Sequence, residues 1–147
     1  RSSDLRSVKI PGVPDSPAAA IERVNALRQL LRPGVTIGIS GDAYAGLGLN
    51  AGCEVWYSVC GGLFPEMAKQ ITEAAAANDH QRVTALTTRL EPLWSLFRKH
   101  RGSIRVIAAA AGVLGLTDMD CLPRPLQPLS AGDIADIAHV ISTLELK

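Results

Sequence analysis

Three places in this sequence carry groups that could do chemistry, and each closes a short extended run. Lys9 stands beside the end of Leu5-Arg6-Ser7-Val8-Lys9-Ile10, which Pro11-Gly12 stops. Ser40-Gly41-Asp42 closes the β-branched run that starts at Val35. Gly61-Gly62 follows a third run, Glu54–Cys60. An amine held in a partly dry hollow loses its proton more readily, because desolvation disfavours the ammonium form. The neutral amine attacks a ketone carbonyl, and the protonated imine that results accepts the electron pair of a breaking carbon–carbon bond. Taken alone, each feature has a plainer explanation. A lysine near a strand end is more often a solvated edge residue, and Ser-Gly-Asp is more often turn chemistry. Two glycines often mark only a flexible junction.

The elements around these residues decide how far the chemical reading goes. Strand side chains alternate between faces. Ser7 and Lys9 therefore share a face, opposite Val8 and Ile10. Thr36, Gly38 and Ser40 oppose Val35, Ile37 and Ile39. In the third run Trp56, Ser58 and Cys60 oppose Val55, Tyr57 and Val59. If the bulky aliphatics pack against helices, Lys9 looks into a hollow lined by small, weakly polar residues. Ser16 is a helix cap with Pro17 at the first helical position. Ile21, Val24, Leu27 and Leu31 then recur at helical spacing. Gly41 permits a tight exit into a short helix over Asp42–Asn50, which Gly52 closes. A helix opens near Pro65 and runs to about Asn78. Asp79 caps another, with Val83, Leu86, Leu90, Trp94 and Phe97 on one side and a kink expected at Pro92. Ser103–Leu116 reads as an apolar helix, Pro123–Pro128 as an extended connection, and Ser130-Ala131-Gly132-Asp133 as a capping box that opens the last helix.

The order is strand, helix, strand, helix, strand, then helices only. Strands joined by helical crossovers imply right-handed βαβ units and a parallel sheet. Parallel sheets are covered on both faces, and three strands alone would leave two open edges. The strands therefore belong to a larger barrel or sheet, or a partner supplies the rest. Arg1-Ser2-Ser3-Asp4 reads as a loop inside a longer protein.

Composition removes several classes. Among 147 residues, Lys plus Arg number 15 and Asp plus Glu 14, a formal charge of +1. That balance gives no electrostatic reason to expect nucleic acid or an anionic membrane. No apolar run is long enough to span a bilayer. Cys53, Cys60 and Cys121 fit no zinc spacing and point to a reducing, cytoplasmic setting. His80, His100 and His139 are expected on solvated helix faces with no ligand spacing. No metal and no cofactor is expected.

The combination resembles the dihydrodipicolinate synthase/N-acetylneuraminate lyase family. The resemblance rests on Val8-Lys9-Ile10, then Ile39-Ser40-Gly41-Asp42, then Ala51-Gly52-Cys53-Glu54-Val55-Trp56-Tyr57-Ser58-Val59. It also rests on the tail Cys121-Leu122-Pro123-Arg124-Pro125-Leu126-Gln127-Pro128-Leu129-Ser130 and the helix pair around Pro92. It covers nearly the whole chain. It implies an α/β fold: residues 1–78 as the last three strands and helices of a TIM (β/α)8 barrel, and residues 79–147 as a C-terminal helical region. It also implies Lys9 as the Schiff-base lysine, acting on pyruvate or a sugar-derived 2-keto acid in a lyase or dehydratase. Ser40, Gly41, Asp42, Tyr57 and Ser58 fall at substrate-binding positions, Asp42 toward a hydroxylated tail and Tyr57 through its backbone carbonyl. Ser40 also has a structural role open to it, and Asp42 the capping of the short helix. A homotetramer is the assembly the resemblance implies. The family's first five strands, which hold a Thr-Thr pair and a proton-relaying tyrosine, have no counterpart here. The 147 residues alone are therefore expected to be inactive. Ile10-Pro11-Gly12 after the lysine departs from the lysine-biosynthetic pattern.

Two other classes compete. A non-catalytic relative kept as a binding or assembly module would show the same elements. A nucleotide-binding α/β domain has only the glycines between Gly41 and Gly52 in its favour, without a dinucleotide fingerprint or phosphate loop.

Overall fold

The structure, a computed structural model, describes residues 4–147. The loop expected over Arg1–Asp4 therefore lies, but for Asp4, outside the described residues. The chain divides into two compact units. One runs to Ser58 and resumes at Lys69–Thr88; the other comprises Val59–Ala68 and Arg89–Lys147.

The first unit is built on a parallel sheet of three strands in sequence order: β1 (Ser7–Ile10), β2 (Thr36–Ser40) and β3 (Val55–Tyr57). Helix α1 (Pro17–Leu30) crosses from β1 to β2. It starts where Ser16 and Pro17 direct it, the Ser16 hydroxyl accepting the Ala19 N–H at 3.2 Å. Its buried stripe is Ala20 and Val24, with Leu27 and Leu31 beside them, while Ile21 is 45% exposed. The expected face is therefore one position out: Ala20, not Ile21, lies one helical turn before Val24. A 3₁₀ turn (Asp42–Tyr44) and α2 (Ala45–Asn50) lead from β2 to β3. Val8, Ile10, Ile37, Ile39 and Trp56 of the sheet form one core with α1, Leu47, Leu49, Ala51 and Cys53. Ile37 and Ile39 are fully buried.

The expected third strand is longer than the observed one. Pairing ends at Tyr57, and Cys60–Gly62 forms a 3₁₀ turn before α3 (Pro65–Ala76). The single kinked helix expected around Pro92 is two helices, α4 (His80–Arg89) and α5 (Glu91–Lys99). Leu90 separates them, and Pro92 sits in the first turn of α5. There a missing N–H costs nothing, so the chain restarts rather than bends. Asp79 caps α4 as expected, accepting the Arg82 N–H at 3.0 Å.

In the second unit α5 buries Leu93, Trp94, Leu96 and Phe97; the Trp94 and Phe97 rings are 5.6 Å apart and tilted. Helices α6 (Ile104–Val113) and α7 (Ala131–Leu144) pack together and bury Val106, Ala109, Ile137 and Ile141. The Ser130 hydroxyl accepts the Asp133 N–H at 3.2 Å, as the capping box requires. Lys99 bridges Asp133 at 2.8 Å and Asp136 at 2.9 Å. These bonds push the Lys99 pKa up to about 12, and the Lys99 and Ser130 bonds bring Asp133 down to about 2. The His100 side chain is only 8% exposed rather than solvated, with Nε2 3.6 Å from Asp133 Oδ1. Among the described residues no helix is long and apolar enough to cross a membrane.

Candidate active site

The two faces of the sheet differ in kind. Parallel partners point the same way, and Lys9 pairs with Gly38, Gly38 with Val55, and Ser40 with Tyr57. One face is therefore Ser7, Lys9, Thr36, Gly38, Ser40, Val55 and Tyr57. The other, with Ile37, Ile39 and Trp56, is the helix-packed core. Lys9 is exposed on the first face, so the described residues do not by themselves enclose it in a hollow. It is one residue from the carboxyl end of β1, the end at which parallel barrels place their chemistry.

The third strand has the opposite phase from the one expected. Tyr57, not Trp56, shares the face of Lys9. Its ring lies over Gly38 so closely that a Cβ there would fall on it. Its hydroxyl donates to Ser7 Oγ at 2.7 Å. Two adjacent aromatics leave the phase of a strand open in sequence, because either can pack against helices. A usable signal was Gly38: a glycine inside a β-branched strand marks a close approach by another group.

Of the other expected site residues, Ser40 ends β2 on the Lys9 face and is half-buried. Gly41 has φ 79°, and a Cβ there would come 2.8 Å from the Pro11 carbonyl oxygen, so only glycine fits this exit. Asp42 is buried, and Trp56 Nε1 donates to its Oδ1 at 3.1 Å. Trp56 belongs to the helix-packed face. The turn that Asp42 opens is capped by Gly41, without a side-chain bond. Ser58 follows the last paired residue and is half-buried, outside the strand. The structure thus brings Lys9, Ser40 and Tyr57 to one face and ties Asp42 to the other.

Glu54 fastens the strands at their amino ends. Its backbone N–H donates to the Ile37 carbonyl at 2.9 Å, and its Oε2 accepts the Ile37 N–H at 2.8 Å. Arg28 bonds the other carboxylate oxygen and donates to the Val35 carbonyl at 2.6 Å. Burial pushes the Glu54 pKa up, but the Ile37 N–H and the Arg28 guanidinium prevail and hold it below its ordinary value. Burial, with the Glu54 charge beside it, pushes the Cys53 thiol up to about 11. Cys53 is therefore a packing residue rather than a nucleophile. Among the described residues no cluster of three His, Cys, Asp or Glu side chains could hold a metal ion.

The model of the dihydrodipicolinate synthetase family matches residues 9–144. The chain belongs to that family. Among solved structures, the dihydrodipicolinate synthase of Agrobacterium tumefaciens is 37% identical, with a TM-score of 0.85 over 95% of this chain and 46% of that one. The family fold extends to more distant members. The enzyme of Thermotoga maritima superposes with a TM-score of 0.80 at 18% identity over 95% of this chain and 46% of its own. That of Bacillus clausii gives 0.79 at 19% over 98% and 48%. No curated protein sequence matches. The chain thus spans about half the length of these family members, and its α/β fold with a three-stranded parallel sheet matches part of theirs.

Proposed function

We propose that this chain carries the imine-forming portion of a Schiff-base lyase acting on pyruvate or a sugar-derived 2-keto acid. The single observation that carries the reading is the placement of Lys9. It lies one residue from the carboxyl end of a parallel strand, on the face turned away from the helix-packed core, in a chain of this family. In the proposed reaction Lys9 Nζ attacks the keto carbon and water leaves from the resulting carbinolamine. In a lyase the protonated imine then draws in the electron pair of the carbon–carbon bond that breaks. In a dehydratase it draws in the pair of an adjacent carbon–hydrogen bond as a base takes the proton, and the enamine expels the hydroxyl, which leaves as water with the carbon–oxygen pair. Ser40, Gly41 and the Tyr57 backbone border the same carboxyl ends, and Asp42 and Ser58 follow the strands there. Residues 1–78 then act as barrel wall, and residues 79–147 as a helical region.

The exposed Lys9 face calls for further strands, from residues outside these 147 or from another chain, to close a barrel and exclude water. The chain alone is inactive on this reading, and the complete enzyme is a cytoplasmic tetramer. Borohydride reduction of the full-length protein in the presence of pyruvate tests it. A stable adduct on the peptide containing Lys9 is expected; an unmodified Lys9 would overturn the proposal. A second reading, a non-catalytic assembly module, is favoured by the exposure of Lys9 in this chain. It predicts normal oligomers and no keto-acid binding.

A further inference from the structure

We infer that the Tyr57 side chain is a positioning residue for the Lys9 amine, forming a floor that closes the space beneath it. The inference rests on the reading of Lys9 as the imine-forming lysine, and extends it to a side chain that reading leaves without a role.

The geometry is specific. Tyr57 starts level with Ser40, its partner on β2. Its ring leans back over Gly38, which is itself the partner of Lys9. Its hydroxyl ends on Ser7, two residues before Lys9 on β1. The phenol therefore spans all three strands diagonally. The ring crosses the sheet at the level of Lys9, and its hydroxyl end runs from there toward the amino ends of the strands. Glycine weakens a strand interior, and here it stands at the one position where any Cβ would evict the ring. The Ser7 hydroxyl fixes the far end. The titratable side chains of the three strands on this face are Lys9 and Tyr57, so no carboxylate of the sheet offsets an ammonium there.

The consequence is chemical. Imine formation needs a neutral amine, and water reaching the nitrogen from below favours the charged form. A ring held under the lysine removes that route and leaves the carboxyl ends of the strands open to the keto acid.

The test is borohydride trapping with pyruvate across pH in the full-length protein, comparing wild type with Tyr57→Ala, Tyr57→Phe and Gly38→Ala. Thermal unfolding confirms which variants are folded. The wild type is expected to form the Lys9 adduct. Tyr57→Ala and Gly38→Ala should move the trapping midpoint upward by about one pH unit, roughly tenfold slower at neutral pH. Tyr57→Phe keeps the ring and should fall between. Should Tyr57→Ala fail to fold, Tyr57→Leu and Gly38→Ala decide the outcome. Variant profiles that superimpose on the wild type, or fall uniformly at every pH, would overturn the inference while leaving Lys9 its role. A wild type without an adduct would instead remove the underlying reading, and the inference with it.

Discussion

One face of the small sheet is finished and the other is not. On the finished face Ile37 and Ile39 are fully buried, α1 supplies Ala20 and Val24, and even the polar tip of Trp56 is bonded to Asp42. On the unfinished face stand an exposed lysine, hydroxyls, a glycine and a phenol. The first face follows from the hydrophobic effect alone, since buried aliphatic area stabilises whatever the chain goes on to do. The second contributes little to the stability of these residues, so its side-chain types require another explanation. Carbonyl chemistry supplies one. On the proposed reading, the contrast separates residues that hold the fold from residues that would use it.

Substitutions on each face can sharpen or break that division. Lys9→Met should abolish borohydride trapping in the full-length protein while shifting stability by no more than about 0.5 kcal/mol. A large loss of stability would show that Lys9 is a packing residue. Ile39→Ala should do the converse, costing about 2–5 kcal/mol in urea unfolding, because it empties a fully buried site.

Glu54→Ala should cost about 1–2 kcal/mol, since the Ile37 N–H loses its carboxylate acceptor. The Glu54 pKa is lower in the folded chain than when unfolded. Its contribution is thus complete above the unfolded value of about 4.3 and disappears as pH falls through the folded value. The gap between wild-type and Glu54→Ala urea midpoints should be constant from neutral pH down to that range and shrink below it. A gap that grows in acid would refute the role of the carboxylate. Ser130→Ala, far from either face in sequence, should cost about 1 kcal/mol through the lost cap. Trapping by the folded variant should be unchanged.

Local chemistry was legible in the sequence and relative phase was not. Ser16-Pro17, Asp79 and Ser130 through Asp133 each start a helix where the residue types require it, because a cap is satisfied within one turn. The strand–helix–strand order and the side of Lys9 also followed from pattern. Trp56 and Tyr57 were harder. Alternation says that they face opposite ways, but only the register with β2 says which of them meets the core. The same limit explains Ile21, displaced from the buried stripe by its neighbour Ala20, and His100, whose largely covered side chain lies beside Asp133 of another helix. The Glu54 carboxylate bonded to Ile37 joins residues 17 apart in sequence, beyond the reach of any local pattern.

The two tryptophans of the chain fall one to each compact unit: Trp56 bonds Asp42 in the first, and Trp94 packs against Phe97 in the second. Indole emission is therefore a ready-made optical label for each. The indole emission of a Trp94→Phe protein would come, within this chain, from the amine-bearing unit alone, and that of a Trp56→Phe protein from the helical one. Melting of the two can be followed separately without attaching a dye.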